Sequence, residues 1–413
     1  MQLMKIIPNN SFIAEYLECT DNLETSKDFD FWCSVWIISL LVNRNLYINR
    51  PSMPVFLNFY ITLLADSGIA RKSTAVNFAK SILNDIIQND YEYLQLLSGT
   101  TSVQKFNYAL TKASFDYKKC IIGLNIPEFI TFFKNKNIIE CFTDLYDCPT
   151  ERKGYGTFTN GDVNVSNVFV SSLSASTPNY YLKAVSEEEI EGGFTSRNII
   201  VYAEKGKRKI PWGKCIDCTK LINRGIKLKQ FIQKCINKTN IQLTDSAIRR
   251  YSSWYNRRKL ANDLYSRSFE SREQDFVLKL AGILALSELS VCINEKHIES
   301  SIKIISYYKK KAQKFFNKEI FADEKDDLSK IIIKIRDIIH SKGENGIQHR
   351  ELYLRIHNSC SNDLYNYIIN VMHELGLIEK LQVYGSKSII YRETKEIYKT
   401  SIDTIVNNID LLT

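Results

Sequence analysis

Lys72 and Ser73 stand side by side at the end of the loop Asp66-Ser67-Gly68-Ile69-Ala70-Arg71-Lys72-Ser73-Thr74. A lysine followed by a hydroxyl residue at a helix start is the ending of a phosphate-binding loop of the form G-x-x-x-x-G-K-[ST]. Main-chain N–H groups from Ser67 through Thr74 would face phosphates, with the helix dipole behind them. Lys72 would reach the β- and γ-phosphates of ATP, and Ser73 would coordinate Mg²⁺. Asp66 and Arg71 occupy the two positions where glycine is usual. A left-handed backbone at a residue such as Arg71 costs roughly 1–2 kcal/mol, so a loop of altered shape is expected. A solvated first helical turn would show the same Lys-Ser pair. The buried strand before the loop and the amphipathic helix after it favour the phosphate reading.

Hydrolysis needs a carboxylate that polarises water, placed at the end of a neighbouring buried strand. Glu128, just after the apolar run Cys120–Leu124, has that place, although the usual Asp before it is absent. An acid at a helix N-terminus would also suit Glu128. Ser176 and Thr177 close a further apolar run, where a hydroxyl could orient the attacking water; a cap ahead of Pro178 is the other reading.

These groups need a scaffold of strands and helices. Val55–Ala65, Cys120–Leu124, Val168–Leu173 and Asn198–Ala203 are apolar on both faces, as parallel strands covered on two sides must be. Helices are expected over Ser73–Ile87, Ser102–Lys112, Phe129–Phe133 and Ile138–Tyr146, so the alternation predicts an α/β sheet domain. Ahead of it, Phe12–Cys19 and Phe31–Asn45 have helical spacing. After Trp212 the strand signals stop, and Leu221–Tyr308 reads as helical throughout. Lys318–Asp327 is charged, lacks apolar periodicity and reads as a linker. Leu328–Arg392 then gives three helices and two strands, Ile378–Val383 and Ser388–Arg392, around a turn holding Lys387: a winged helix-turn-helix. The expected divisions are 1–50 helical, 51–213 the nucleotide core, 214–322 helical, 323–395 the winged helix and 396–413 a tail.

Composition narrows the function classes. The chain has 413 residues and a net charge of +9, compatible with a nucleic-acid partner without requiring one. The longest apolar stretch, Phe31–Val42, is too short to span a bilayer. Met1–Asn10 lacks the basic and apolar regions of a signal peptide, so no membrane association and a cytoplasmic location are expected. Ten cysteines show no framework spacing. The single C-x-x-C, Cys215–Cys218, lacks the second pair that a zinc site needs.

Four segments together resemble one family, the P-loop ATPase module of phage, plasmid and mobile-element helicases and primase-helicases, related to AAA+ and superfamily 3 helicases. They are Ser67–Ala75, Leu145-Tyr146-Asp147-Cys148-Pro149, Ser174-Ala175-Ser176-Thr177-Pro178 and Gly192-Gly193-Phe194-Thr195-Ser196-Arg197; Phe276–Ala281 is a weaker fifth. The resemblance spans about Phe12–Trp212 well and the helical part loosely. It implies an AAA+-like core with a helical lid, ATP hydrolysis with Mg²⁺, and a homo-oligomeric ring, most simply a hexamer. It also implies that Arg197 is an arginine finger acting on nucleotide held by the neighbouring subunit. Capping of a helix, or pairing with Glu187–Glu191, is the structural alternative for Arg197. The family's primase part has no counterpart ahead of Phe12, so priming is not expected.

Related ring helicases place a strand-gripping hairpin before the third buried strand. Here Arg152, Lys153, Tyr155 and Phe158 combine cations with aromatic rings, as single-stranded DNA requires; a solvated hairpin would have the same composition. Lys205-Lys207-Arg208-Lys209 reads as a surface turn. The winged segment Leu328–Lys395 has ten Lys/Arg against seven Asp/Glu. Its recognition-helix face, Asn362, Asp363, Asn366, Asn370 and Glu374, has no cation. Arg350, Arg355 and Lys387 could still touch DNA, but docking of a replication partner protein suits this face equally.

Overall fold

A computed structural model describes residues 6–51, 53–88, 90–98, 103–133, 136–152, 165–185, 193–203, 209–210, 217–258, 264–357, 360, 362–382 and 388–394, with the backbone alone at 103, 136, 152, 264, 317–328 and 363. Two compact units divide the chain, Met1–Phe315 and Phe316–Thr413.

The first unit is α/β. Its sheet has five parallel strands: β3 (Tyr60–Leu64), β4 (Leu94–Ser98), β5 (Cys120–Ile126), β8 (Val168–Ser176) and β9 (Asn198–Tyr202). They run in the order β4-β5-β8-β3-β9. Every residue of β3, β5, β8 and β9 is buried, as the two-sided apolar runs require. The edge strand β4 escapes notice in the sequence because it is short, half-exposed and free of β-branched residues.

Helix α2 (Lys27–Val42) covers one face of this sheet and is buried from Phe29 to Val42. A helix apolar all round belongs in a core. Trp36 Nε1 donates to Ser171 O on β8 at 3.3 Å, and Ser39 Oγ to Ser171 Oγ at 2.9 Å. Leu40 comes so close to β5 that a Cβ at Gly123 would lie 2.8 Å from its Cδ1, so the side-chain-free position is what admits the helix. Helix α2 is therefore part of the core layer of this unit. Helix α1 (Phe12–Cys19) is capped by the Ser11 side chain, which accepts from Ala14 N. Helix α3 (Lys72–Ile87) follows the loop and buries Ala75, Val76, Ala79, Ile82, Leu83, Ile86 and Ile87, a helical stripe.

Several segments differ from the sequence expectation. The run Val55–Ala65 splits: β2 (Val55–Phe56) pairs antiparallel with β1 (Tyr47–Ile48), and β3 begins at Tyr60. Between them the buried Asn58 side chain donates to Tyr146 O at 2.8 Å, which fixes the break. The stretch after Trp212 is not uniformly helical. Helices α8 (Thr219–Cys235), α9 (Asp245–Asn256) and α10 (Leu264–Ser287) are interrupted by β10 (Gln242–Leu243) and β11 (Cys292–Ile293), two short parallel partners. The expected linker Lys318–Asp327 lies inside one 47-residue helix, α11 (Glu295–Ser341). Its Lys, Glu and Ala residues favour a helix and no Gly or Pro interrupts it, so a polar composition does not end the helix. The hairpin has its base in β6 (Glu151–Arg152) and β7 (Val165–Ser166), paired antiparallel. Lys153, Tyr155 and Phe158 lie outside the described residues, as do Lys387 and most of the basic cluster at 205–209.

The second unit holds the end of α11, α12 (His349–Ile356), α13 (Asn362–Glu374) and an antiparallel sheet in the order β12 (Ile347–Gln348), β14 (Ile389–Glu393), β13 (Ile378–Gln382). Ile332, Ile335, Ile339, Leu352, Ile356, Tyr365 and Met372 fill its core. The strand β12 adds a third member to the two expected strands.

Candidate functional site: a cleft at the ends of three parallel strands

In a parallel sheet the main-chain turns after the strands gather at one end, and ligands bind there beside a switch in strand order. Register puts three such turns at one height. Leu64 of β3 is level with Ser176 of β8, and Ile126 of β5 is level with Ser174. Glu128 comes two residues past Ile126, beyond the end of β5, and lines the same cleft as Ser176. The intervening β8 separates the loop strand from β5 by two strand spacings, about 10 Å.

The cleft above these ends has a volume of about 690 Å³ and is lined by Ser67, Gly68, Arg71, Lys72, Ser73, Thr74, Pro127, Glu128, Ser176, Thr177 and Tyr180 among others. Ligand pockets run from about 300 to 1,000 Å³, so a nucleotide fits. Of the loop, Ala70 is buried and Ile69 is 41% exposed; neither side chain lines the cleft.

Arg71 adopts φ 49° and ψ 42° and is the N-terminal flank of α3, which has no side-chain cap. The first N–H groups of any helix lack intrahelical acceptors, so those at the start of α3 are open to an anion. Arg71 is held in its left-handed conformation by Glu24, whose Oε2 accepts from Nε at 2.9 Å and pairs with Nη2 at 2.7 Å. Glu24 Oε1 accepts from Ile210 N at 2.9 Å. That backbone N–H and then Arg71 hold the Glu24 carboxyl below its ordinary range. Lys72 Nζ donates to Ala65 O at 2.5 Å and to Asp66 O at 3.1 Å. Partial burial lowers its pKa, opposed by Asp66.

Glu128 is exposed on the cleft wall and directly precedes α5 (Phe129–Phe133), so its place satisfies both sequence readings. Thr177 is the N-cap of α7 (Pro178–Ala184) but makes no side-chain capping bond. The buried Asn125 of β5 donates to Val76 O at 3.0 Å and so ties the Glu128 strand to α3.

Arg197 is elsewhere. It immediately precedes β9, whose Asn198 is level with Tyr60 at the start of β3. The loop follows the other end of β3, about 13 Å further along by strand rise from Tyr60 to Leu64. Arg197 Nη1 donates to Gly193 O at 2.9 Å, Nη2 lies 3.8 Å from Asp147 Oδ2, and the side chain is 14% exposed. Its Nε is buried with no hydrogen-bond partner among the described residues. Asp147 also accepts from Arg272 Nη1 at 3.0 Å. Glu187–Glu191, the alternative partners, lie outside the described residues. Nearby, the buried Lys279 donates to Asn58 Oδ1 at 2.8 Å and sits 3.9 Å from the centre of the Tyr146 ring. Thus Tyr146-Asp147, Arg197 and Lys279, from three of the five resembling segments, meet at the end of the sheet opposite the cleft. The pocket there, about 140 Å³, is too small for a nucleotide.

Glu24, Asn125 and Tyr180 are site residues that the sequence reading missed. Only Tyr180 carried a local signal, two residues after the Thr177-Pro178 cap. No protein-family model and no curated protein matches the chain.

Proposed function

We propose that this chain is an ATP-hydrolysing, ring-forming DNA helicase or translocase serving replication of a mobile genetic element. The observation that carries this reading is the shared cleft: Ser67, Gly68 and Arg71–Thr74 of the loop, Glu128 and Thr177, separated widely in sequence, line one cavity at the ends of β3, β5 and β8. The donor set suits the ligand. Uncapped helix N–H groups and Lys72 match a polyphosphate. The Ser73 hydroxyl is a hard oxygen donor suited to Mg²⁺. In this reading Lys72 binds phosphate, Ser73 holds the metal, Glu128 accepts the proton of the attacking water and Thr177 orients that water. Tyr180, 54% exposed on the same wall, offers a ring to the base. Arg197 cannot reach the nucleotide of its own chain, which agrees with action in trans. The segment after Trp212 serves as the helical lid, and Phe316–Glu393 as a winged helix.

ATP turnover by wild type and two variants tests the reading. Lys72→Ala is expected to lose nucleotide binding with the fold intact. Glu128→Gln is expected to bind ATP yet hydrolyse it at least about 10²-fold more slowly, the scale of a lost general base. Normal turnover by Lys72→Ala would remove the nucleotide site. Near-normal turnover by Glu128→Gln would move the activating role to another carboxylate; Asp147 is no longer a candidate, since it lies at the far end of the sheet.

A second reading, a nucleotide-dependent switch that docks a partner protein, is favoured by one observation. In the C-terminal unit Arg355 pairs with Glu351 at 2.9 Å, and Lys342 pairs with the same carboxylate. With two cations neutralised and none on the α13 face, the unit suits a protein better than a phosphate backbone.

A further inference from the structure

Helix α4 (Val103–Tyr117) buries one side against the sheet through Phe106, Ala109, Leu110 and Ala113. Its other side carries two large rings in solvent: Phe115 is 79% exposed and Tyr108 is 66% exposed, the two most exposed aromatic side chains among the described residues. Seven residues apart, they lie on one helical face about 10.5 Å apart along the axis. Lys112 stands between them on that face, and Lys118 follows Phe115, with its Nζ 5.9 Å from the ring centre. Asp116 is the one acid on this side. The alternation of rings and ammonium groups is not the pattern of a surface that packs on an apolar partner.

The end of α4 is also stitched to the hairpin base. Ser114 Oγ lies 3.1 Å from Ser166 Oγ and accepts from Ser166 N at 3.0 Å. Lys118 O accepts from Ser166 Oγ at 3.3 Å and from Asn167 Nδ2 at 3.1 Å. These bonds fix the C-terminal end of α4, where Phe115 stands, to the strand β7.

We propose that the Tyr108–Phe115 face of α4 binds single-stranded nucleic acid by stacking bases on its two rings, with Lys112 and Lys118 on the phosphates. The inference rests on the strand-binding part of the proposed function and adds a site to it. Stacked bases are about 3.4 Å apart, so the spacing of the rings corresponds to three stacking gaps and two bases between them. Stacking of this kind tolerates any sequence, because every base has a π-face.

The test is fluorescence anisotropy of labelled oligothymidylate with the full chain, with and without ATP, over a range of salt. Tyr108→Ala with Phe115→Ala is expected to weaken binding by at least about tenfold, given the usual contribution of a stacked base. Phe115→Trp should retain it and Phe115→Leu should not, a distinction that mere apolar burial would not make. Lys112→Ala should lower the salt dependence by about 0.7 in log–log slope. Unchanged melting temperatures show that the surface variants fold. If wild type binds the strand and the double variant binds equally well, the α4 site is overturned while strand binding elsewhere stands. If wild type binds no strand in any nucleotide state, both fall together. Unchanged strand binding with a shifted oligomeric mass would make the face a contact between copies, which also overturns the inference.

Discussion

Arg71 holds φ 49°, a conformation that glycine adopts without strain. Arg71→Gly relieves roughly 1 kcal/mol of strain but deletes the Glu24 pair and adds chain entropy, so it should leave stability nearly unchanged, whereas Arg71→Val, β-branched at the same angles, should lower both stability and nucleotide affinity. Thermal melting and titration with a fluorescent nucleotide read the two effects. Lys279 gives a second prediction. Burial lowers its pKa from 10.5 to about 8. Between those values the unfolded chain binds more protons than the folded one, so stability rises with pH there. Lys279→Met lacks that titration and also leaves Asn58 O and Oδ1 without a donor. The stability advantage of wild type over the variant should then widen from pH 8 to pH 10 in denaturant titrations. A gap that stays constant would mean Lys279 does not titrate in this window.

The loop-and-helix unit and the strands β5, β8 and β9 were legible because a buried parallel strand is a continuous apolar run and an amphipathic helix repeats every three to four residues. Those signals are local. The contacts that shape the site are not: Glu24 meets Arg71 from 47 residues away, and Arg272 meets Asp147 from 125. Lys72, Glu128 and Thr177 could be chosen from the sequence because each follows a readable strand; the far position of Arg197 follows from its place ahead of the parallel strand β9, whereas its partners Asp147 and Gly193 do not follow from any periodicity. Charge also misled at the element scale, since the polar stretch 318–327 reads as a linker yet sits inside α11. Helical backbone resists proteases, which need an extended substrate. Limited trypsin digestion should therefore spare Lys318 and Lys325 relative to Asp323→Pro, which breaks the helix there at about 3 kcal/mol. Equal cleavage of both chains would contradict a continuous α11.

At the scale of the whole molecule, the cleft and Arg197 occupy opposite ends of one sheet. If Arg197 acts on nucleotide as proposed, it must do so on a cleft of a second copy. Turnover per subunit should then rise with protein concentration. Arg197→Ala should lose about 10³-fold in hydrolysis, as arginine fingers do, yet keep ATP affinity. Mixing it with Lys72→Ala should restore part of the activity, each variant supplying what the other lacks. If Arg197 serves only its contacts to Asp147 and Gly193, the variant melts earlier and mixing rescues nothing. The buried helix α2 has a separate consequence, in time. Ser39 must wait for Ser171, 132 residues later in the chain. At roughly 5–20 residues per second of synthesis, this nearly all-apolar helix stays without its covering strand for about seven to twenty-six seconds on the ribosome. For that interval the newborn chain is sticky, and a holding chaperone or slower, cooler expression should decide how much of it reaches the folded state.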